Sequence, residues 1–170
     1  MALRQEGLFP TDQMYQEGGT MIIGMTSGCF DLIHFGHIHY LQRCRALCDR
    51  LIVAVDSDEM VRAAKGPSRP IIPEKERLEL VNSLGCVDAA FIMEHLNDLG
   101  RAAGSFGVRK LFKHEGFGAD TRINHIHGTE FGAELVIVPD VKGLESTTRI
   151  IRRVLDQHSI EFLEQFPEEV

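Results

Sequence analysis

The sequence lacks three features that would each assign it to a particular class of protein. Although 44% of the residues are hydrophobic, no stretch approaches the roughly 20 consecutive apolar residues of a membrane-spanning helix. The four cysteines include no C-x-x-C pair, which argues against a disulfide scaffold. The N-terminus has no basic stretch followed by an apolar one, as secretory signals have. We therefore expect a cytoplasmic protein with reduced thiols and no membrane partner.

An excess of basic residues, typical of nucleic-acid-binding proteins, is also missing. The chain has 18 Lys and Arg against 25 Asp and Glu, which gives a formal net charge of −7 at pH 7. We therefore expect no nucleic-acid partner, whereas a small anion is compatible with the charge because a pocket can differ locally from the whole surface. The length of 170 residues fits one domain, which we place at residues 21–158, between a flexible N-terminal extension (1–20) and a C-terminal tail (159–170).

Short apolar runs alternate with stretches of helical periodicity. The runs of strand length are Met21–Thr26, Leu51–Val55, Asp88–Met93, Val108–Lys113 and Leu135–Val138. Helical spacing links Arg77, Leu80, Val81 and Leu84, and again Ile150, Ile151, Val154 and Leu155, which we expect to form a buried face. This alternation predicts an α/β fold, a Rossmann-like doubly wound parallel sheet of about five strands with helices on both faces. Ligands bind such sheets outside the carboxyl ends of the strands, where the strand order reverses.

The segment GCFDLIHFGH, residues 28–37, follows the first apolar run at the predicted strand-to-helix turn. Gly28 permits a sharp turn, and Gly36 removes a side chain where the helix begins. His34 and His37 are three residues apart, so both rings can face one point above the strand end. Helix N-termini bind anions through their unpaired amides and the helix dipole. The segment therefore predicts a phosphate site.

Two other interpretations of these histidines remain open at this point. A single histidine at a helix start is commonly a cap or a surface residue. A zinc site is also conceivable, with His34, His37, His39 and Cys29 as ligands. Positions 37 and 39 project about 200° apart on a helix, which weakens the zinc interpretation and makes His39 a surface or packing residue.

The opening segment resembles the cytidylyltransferase-like nucleotidyltransferases with the H-x-G-H signature. LIVAVDSD (51–58), KGPSRP (65–70) and STTRI (146–150) follow it in the order found in that family. The similarity runs from about Met21 to Leu155 and is greatest to the adenylyltransferase domain that activates heptose 1-phosphate for lipopolysaccharide cores. The resemblance implies transfer of a nucleoside monophosphate from ATP or CTP, accompanied by Mg²⁺, to a sugar or polyol phosphate, in a homodimeric protein.

KGPSRP is a basic loop that contains Lys65 and Arg69. Alone, it would be read as a solvated loop. After a βα unit it can fold over phosphates and exclude water, and the resemblance implies this role for Lys65 in particular. Arg77 shares the apolar stripe of its helix and lies near a helix N-terminus, where a cation is disfavoured. It therefore needs an anion, either Glu74 or Glu76 or, as the resemblance favours, a nucleotide phosphate; snorkelling towards solvent is the other alternative.

STTRI predicts the N-terminus of the last helix, with Ser146 as its N-cap. A plain cap is the alternative to a second phosphate clamp made by Ser146, Thr147 and Thr148 with Arg149. The sequence departs from family habit in two places: Gly143 lies three residues before Ser146, where a glycine two residues ahead is usual, and after Lys113, which matches the family, the segment to Asp120 differs from the lysine-glycine-glycine-aspartate-tyrosine run of the heptose enzymes.

The site predicted from these motifs has two parts. The catalytic residues are His34, His37, Lys65 and Arg77. The nucleotide-binding residues are Gly28, Cys29, Phe30, Asp31, Gly36, Lys113, Ser146, Thr147, Thr148 and Arg149, and Asp31 would orient a magnesium-bound water or a histidine. No metal site formed by the protein itself is expected.

The most specific function implied is heptose 1-phosphate adenylyltransferase activity in lipopolysaccharide biosynthesis. A cytidylyltransferase acting on glycerol 3-phosphate or another polyol phosphate is the alternative within the class. A nucleotide-binding module without turnover and a zinc-binding structural protein are the alternatives outside it.

Overall fold

The computed structural model describes residues 20–115, 131–141 and 143–158. Within these ranges the strands are β1 (Ile23–Gly28), β2 (Arg50–Asp56), β3 (Ala89–Met93), β4 (Lys110–His114) and β5 (Glu134–Val138). The helices are α1 (Phe35–Arg45), α2 (Asp58–Lys65), α3 (Glu74–Asn82), α4 (Leu96–Phe106) and α5 (Thr147–His158). The predicted extension and tail lie outside the described residues, apart from residue 20. None of the helices described there is long and apolar enough to cross a membrane.

The strands form one parallel sheet in the order β3-β2-β1-β4-β5. The chain runs outward from β1 to β3 and then returns to the other side of β1, so the order reverses between β1 and β4. This topology confirms the predicted Rossmann-like fold. It also leaves a crevice at the carboxyl ends of β1 and β4, where a ligand site is expected.

The sheet buries side chains on both faces, and β2 shows this most clearly. Leu51, Val53 and Val55 belong to one apolar cluster, whereas Ile52 and Ala54 belong to the other. Successive side chains of a strand point to opposite faces, so an unbroken apolar run is what a strand covered on both faces requires. The core therefore consists of two apolar layers, one on each face of the sheet, which fix the central strands below the crevice.

Two predicted helix faces differ from the structure. In α3, Arg77 and Val81 are buried, but Leu80 is 43% exposed. In α5, Val154 and Leu155 are 55% and 59% exposed, so the predicted buried face of this helix is wrong for these two residues. Helical spacing identifies residues that share a face, but it does not show which other element covers that face.

Candidate active site at the carboxyl ends of β1 and β4

A cavity of about 890 Å³ lies at the predicted position. Its lining comes from the turn after β1, the first turns of α1, the loop after α2, the end of β4 and the segment that enters α5. The predicted site residues that line it are Gly28, Cys29, Phe30, His34, Gly36, His37, Lys65, Lys113, Ser146, Thr147, Thr148 and Arg149. Arg77 and Asp31 do not line it. The topology therefore brings together motifs that are more than 100 residues apart in sequence.

The turn between β1 and α1 is tightly constrained. Phe30 and Leu32 have positive φ angles of 52° and 49°, a conformation that costs free energy for residues with a side chain. Gly36 faces α5: a Cβ atom there would lie 2.9 Å from the backbone oxygen of Glu145 and 2.9 Å from Cε1 of His34. Only glycine allows the start of α1, the His34 ring and the segment before α5 to approach this closely.

His34 and His37 form a stacked pair at the start of α1. Their ring centroids are 3.9 Å apart and their planes differ by 29°. Nδ1 of His34 accepts the amide N–H of Gly36 at 3.1 Å, and Nδ1 of His37 accepts the amide N–H of His34 at 3.4 Å. Because each Nδ1 acts as an acceptor, a neutral ring carries its proton on Nε2. Both imidazoles are therefore held in the tautomer that offers an Nε2–H donor to a ligand.

The surroundings of the pair favour neutral rings. Burial lowers the pKa of His37 to about 3, and the charge of Lys65 acts in the same direction, as does that of His34 when His34 is protonated. Burial also lowers the pKa of His34, although the nearby Glu145 carboxylate opposes this. At neutral pH the two rings therefore donate hydrogen bonds without carrying a full charge, and an anion bound beside them would raise both pKa values.

Asp31 stabilises the loop that follows α2. Its carboxylate, which is 1% exposed, accepts hydrogen bonds from the amides of Ile71 and Ile72 and from Nε of Arg69, the last at 2.7 Å. Burial alone would raise the pKa of Asp31, but the two amides and the guanidinium outweigh it and lower that pKa. The prediction was that Asp31 orients a magnesium-bound water or a histidine; in the structure both of its oxygens accept hydrogen bonds from protein donors instead.

Arg77 forms an ion pair with a carboxylate of the protein itself. Its side chain is fully buried, with Nη2 donating to the Asp58 carboxylate at 2.7 Å, Nη1 to the carbonyl of Cys29 and Nε to the carbonyl of Ile72. Arg77 was predicted to contact a nucleotide phosphate or to pair with Glu74 or Glu76, whereas in the structure its three guanidinium nitrogens are engaged by other groups of the protein. Arg77 instead links the turn after β1 to the loop before α3, and thus supports the site from below.

The segment before α5 closes the opposite side of the cavity. The hydroxyl of Ser146 accepts the amide N–H of Arg149 at 3.3 Å, as an N-cap does. The hydroxyl of Thr147 donates to the carbonyl of Asp31 at 2.8 Å, which fixes α5 against the turn after β1. The amide N–H groups in the first turn of a helix have no partner within the helix. At the start of α5, which lines the cavity, such groups are available as hydrogen-bond donors to a ligand.

A buried lysine lies at the base of the cavity. Nζ of Lys113 donates to Oγ of Ser27 at 2.9 Å. Burial lowers the pKa of Lys113, and the carboxylate of Asp56 opposes that shift. Residues 116–130, which include most of the unusual segment up to Asp120, lie outside the described part of the chain.

Sequence reasoning missed several residues of the lining. His39 was predicted to be a surface or packing residue, and Arg69, His114 and Glu145 were not included in the predicted site, yet all four line the cavity. Nε2 of His114 lies 3.1 Å from Oδ1 of Asp140, which joins the ends of β4 and β5. Arg69 lies within KGPSRP and Glu145 adjoins STTRI, so these motifs were the available signal.

A protein-held metal ion has no support in the described ranges. No group of three or more His, Cys, Asp and Glu side chains there could hold one. The zinc interpretation of His34, His37, His39 and Cys29, all of which lie in those ranges, is therefore not supported.

Comparisons with known proteins agree with this geometry. A family model described as "Cytidylyltransferase-like" matches residues 25–153. Two curated proteins named "Bifunctional protein HldE", from Hyphomonas neptunium and Desulfatibacillum aliphaticivorans, are each 38% identical over 86% and 84% of this chain. These matches cover only 31% and 28% of the relatives' lengths, so the chain corresponds to about a third of each. The solved lipopolysaccharide core biosynthesis protein from Thermoplasma volcanium is 31% identical, with a TM-score of 0.59 over 72% of this chain and 98% of that one.

Proposed function

This chain belongs to the cytidylyltransferase-like family of nucleotidyltransferases, and on that premise we propose that it joins the nucleoside monophosphate of an NTP to a sugar phosphate and releases pyrophosphate. Its specific reaction is the adenylylation of heptose 1-phosphate in lipopolysaccharide biosynthesis. The resemblance of its motifs to the heptose enzymes supports this substrate, as does the similarity to a solved lipopolysaccharide core biosynthesis protein.

One observation carries the proposal. The stacked imidazoles of His34 and His37 present two Nε2–H donors in a cavity that also contains Lys65 and the N-terminus of α5. Hydrogen-bond donors, a cation and a helix N-terminus are the groups that stabilise a polyphosphate.

In the proposed mechanism, an oxygen of the acceptor phosphate attacks the α-phosphorus of the NTP. The bond from the α-phosphorus to the bridging oxygen of the β-phosphate breaks, and pyrophosphate leaves with that electron pair. His34 and His37 donate hydrogen bonds to the phosphate oxygens, and these bonds strengthen as negative charge moves onto the leaving group. Lys65 neutralises the α-phosphate, and the start of α5 holds the outgoing pyrophosphate. The protein supplies alignment and charge stabilisation rather than a nucleophile.

Mg²⁺ fits this mechanism as part of the nucleotide substrate. The carboxylate that was expected to reach it, Asp31, is occupied by protein donors, and Glu145, which lines the cavity, has one buried oxygen without a hydrogen-bond partner. The ion would therefore be held mainly by the triphosphate, whose charge it partly neutralises.

Pyrophosphate release tests the proposed function. The four NTPs are each combined with heptose 1-phosphate, glycerol 3-phosphate and other small phosphate esters, with His37→Ala as the inactive control. We expect release with ATP and heptose 1-phosphate. Release only with CTP and a polyol phosphate would replace this substrate with the alternative one, and nucleotide binding without release from any pair would favour the non-catalytic module.

We also propose that the protein is a cytoplasmic homodimer, as the family resemblance implies. Light scattering coupled to size exclusion measures the mass in solution. The mass of a single chain at micromolar concentration would contradict the dimer.

A further inference from the structure

The guanidinium of Arg69 is held in a fixed orientation at the edge of the cavity. Its Nε donates to Oδ2 of Asp31 at 2.7 Å, and Asp31 is itself held by the amides of Ile71 and Ile72. A guanidinium is planar and rigid. Once Nε is engaged, the directions of the two remaining nitrogens are therefore set, and Arg69 requires no reorganisation to use them.

Nη2 of Arg69 has no partner. The side chain is 11% exposed, and this nitrogen is buried without a hydrogen bond. In the described ranges the same is true of one other side-chain atom, Oε2 of Glu145, and both residues line the cavity. Buried polar groups are almost always paired in folded proteins, and an unpaired charged group is especially costly. Because the two residues that carry these atoms line the same cavity, we take a ligand to be the missing partner.

We propose that Arg69 is a nucleotide-phosphate ligand, with Nη2 donating to a phosphoryl oxygen and Asp31 acting as its positioning residue. The inference rests on the proposed function, because it assumes that the cavity receives a triphosphate. Besides Arg69, the lining contains the cations of Lys65, Lys113 and Arg149 against the carboxylates of Asp140 and Glu145, so the local charge favours an anion as the partner. A guanidinium presents a planar fork of N–H donors that fits the geometry of phosphate oxygens better than the ammonium group of a lysine does.

Lysine at position 69 separates this role from a structural one. A lysine has a single terminal nitrogen, which can pair with Asp31 or with a phosphate but cannot serve both as the guanidinium does. Arg69→Lys should therefore preserve the link to Asp31 and the stability of the fold, while losing the phosphate contact. Arg69→Gln removes the charge entirely, and Arg62→Gln is the matched control, because Arg62 is exposed on α2 and does not line the cavity.

The experiment measures equilibrium binding of ATP, AMP and inorganic triphosphate by calorimetry, together with urea unfolding of each unliganded variant. We expect Arg69→Lys and Arg69→Gln to weaken ATP and triphosphate binding by roughly 10- to 100-fold, the usual range for a lost charged hydrogen bond, and AMP binding by less. Arg62→Gln should bind all three ligands like the unchanged protein.

Native triphosphate affinity in a folded Arg69→Lys variant would overturn the inference, as would equal losses for AMP and triphosphate. These results are distinguishable from failure of the proposed function. If the unchanged protein binds ATP but no acceptor yields pyrophosphate, the enzymatic proposal fails and the Arg69 assignment is still decided by the affinities.

Discussion

Replacing Gly36 with alanine tests whether the close contact between α1 and the segment before α5 builds the site. The new Cβ would lie 2.9 Å from the backbone oxygen of Glu145 and 2.9 Å from Cε1 of His34. A backbone carbonyl cannot rotate away, and the His34 ring is held by the Gly36 amide and by stacking on His37. The substitution must therefore separate these elements or displace the ring.

The expected cost follows from two opposing effects. Overpacking a tight contact typically costs about 1–3 kcal/mol, whereas alanine gains up to about 1 kcal/mol over glycine in a helix. We expect a net loss of about 1–2 kcal/mol in the free energy of unfolding. Because the displaced ring belongs to the histidine pair, ATP affinity should fall as well.

Urea unfolding measures the stability and calorimetry measures the ATP affinity. Gly85→Ala is the control, since a Cβ there meets nothing within 4 Å and its φ is not positive; it should change stability by no more than about 0.5 kcal/mol. A Gly36→Ala variant with unchanged unfolding and unchanged ATP affinity would refute the reasoning.

Three further predictions concern the titratable groups of the cavity. Lys65→Ala should lower kcat for pyrophosphate release more than it weakens ATP binding, whereas the exposed Lys75→Ala should change neither; equal losses in both would contradict a role in the transition state. His37 binds fewer protons in the folded than in the unfolded protein, since its pKa is lowered to about 3. Its contribution to stability is therefore lost as pH falls below about 6.5, the pKa in the unfolded protein, and the free energy of unfolding falls by up to about 1.4 kcal/mol per pH unit. Urea unfolding between pH 7 and 5 should show that the free energy of unfolding of His37→Asn depends less steeply on pH than that of the unchanged protein. Glu145→Gln should lower the pKa of His34, because the carboxylate beside it favours the imidazolium; an NMR titration that shows an unchanged or higher value would contradict this.

Much of the fold was predictable because it depends on local pattern. The apolar run Leu51–Val55 lies within β2 (Arg50–Asp56), since a strand buried on both faces requires consecutive apolar residues. Ser146 caps α5 as predicted, because a cap depends on residues three positions apart. The exposure of Val154 and Leu155 was not predictable, since it depends on which distant element covers the helix.

The histidine pair was likewise accessible from sequence. His34 and His37 lie three residues apart at a helix start, and the structure stacks their rings 3.9 Å from each other. The spacing predicted only a shared face. The tautomers depend on backbone amides that the turn presents, and these required the structure.

The sequence by itself determined the order of strands and helices along the chain and the placement of two histidines at a glycine-containing strand-to-helix turn, because periodicity, glycine placement and helix capping act over a few residues. Only the tertiary structure decided the roles of the buried charges. Arg77 pairs with Asp58, and Arg69 pairs with Asp31, 38 residues away. A charged side chain takes whichever partner lies nearest in space, and in a parallel sheet that neighbour comes from a distant part of the chain.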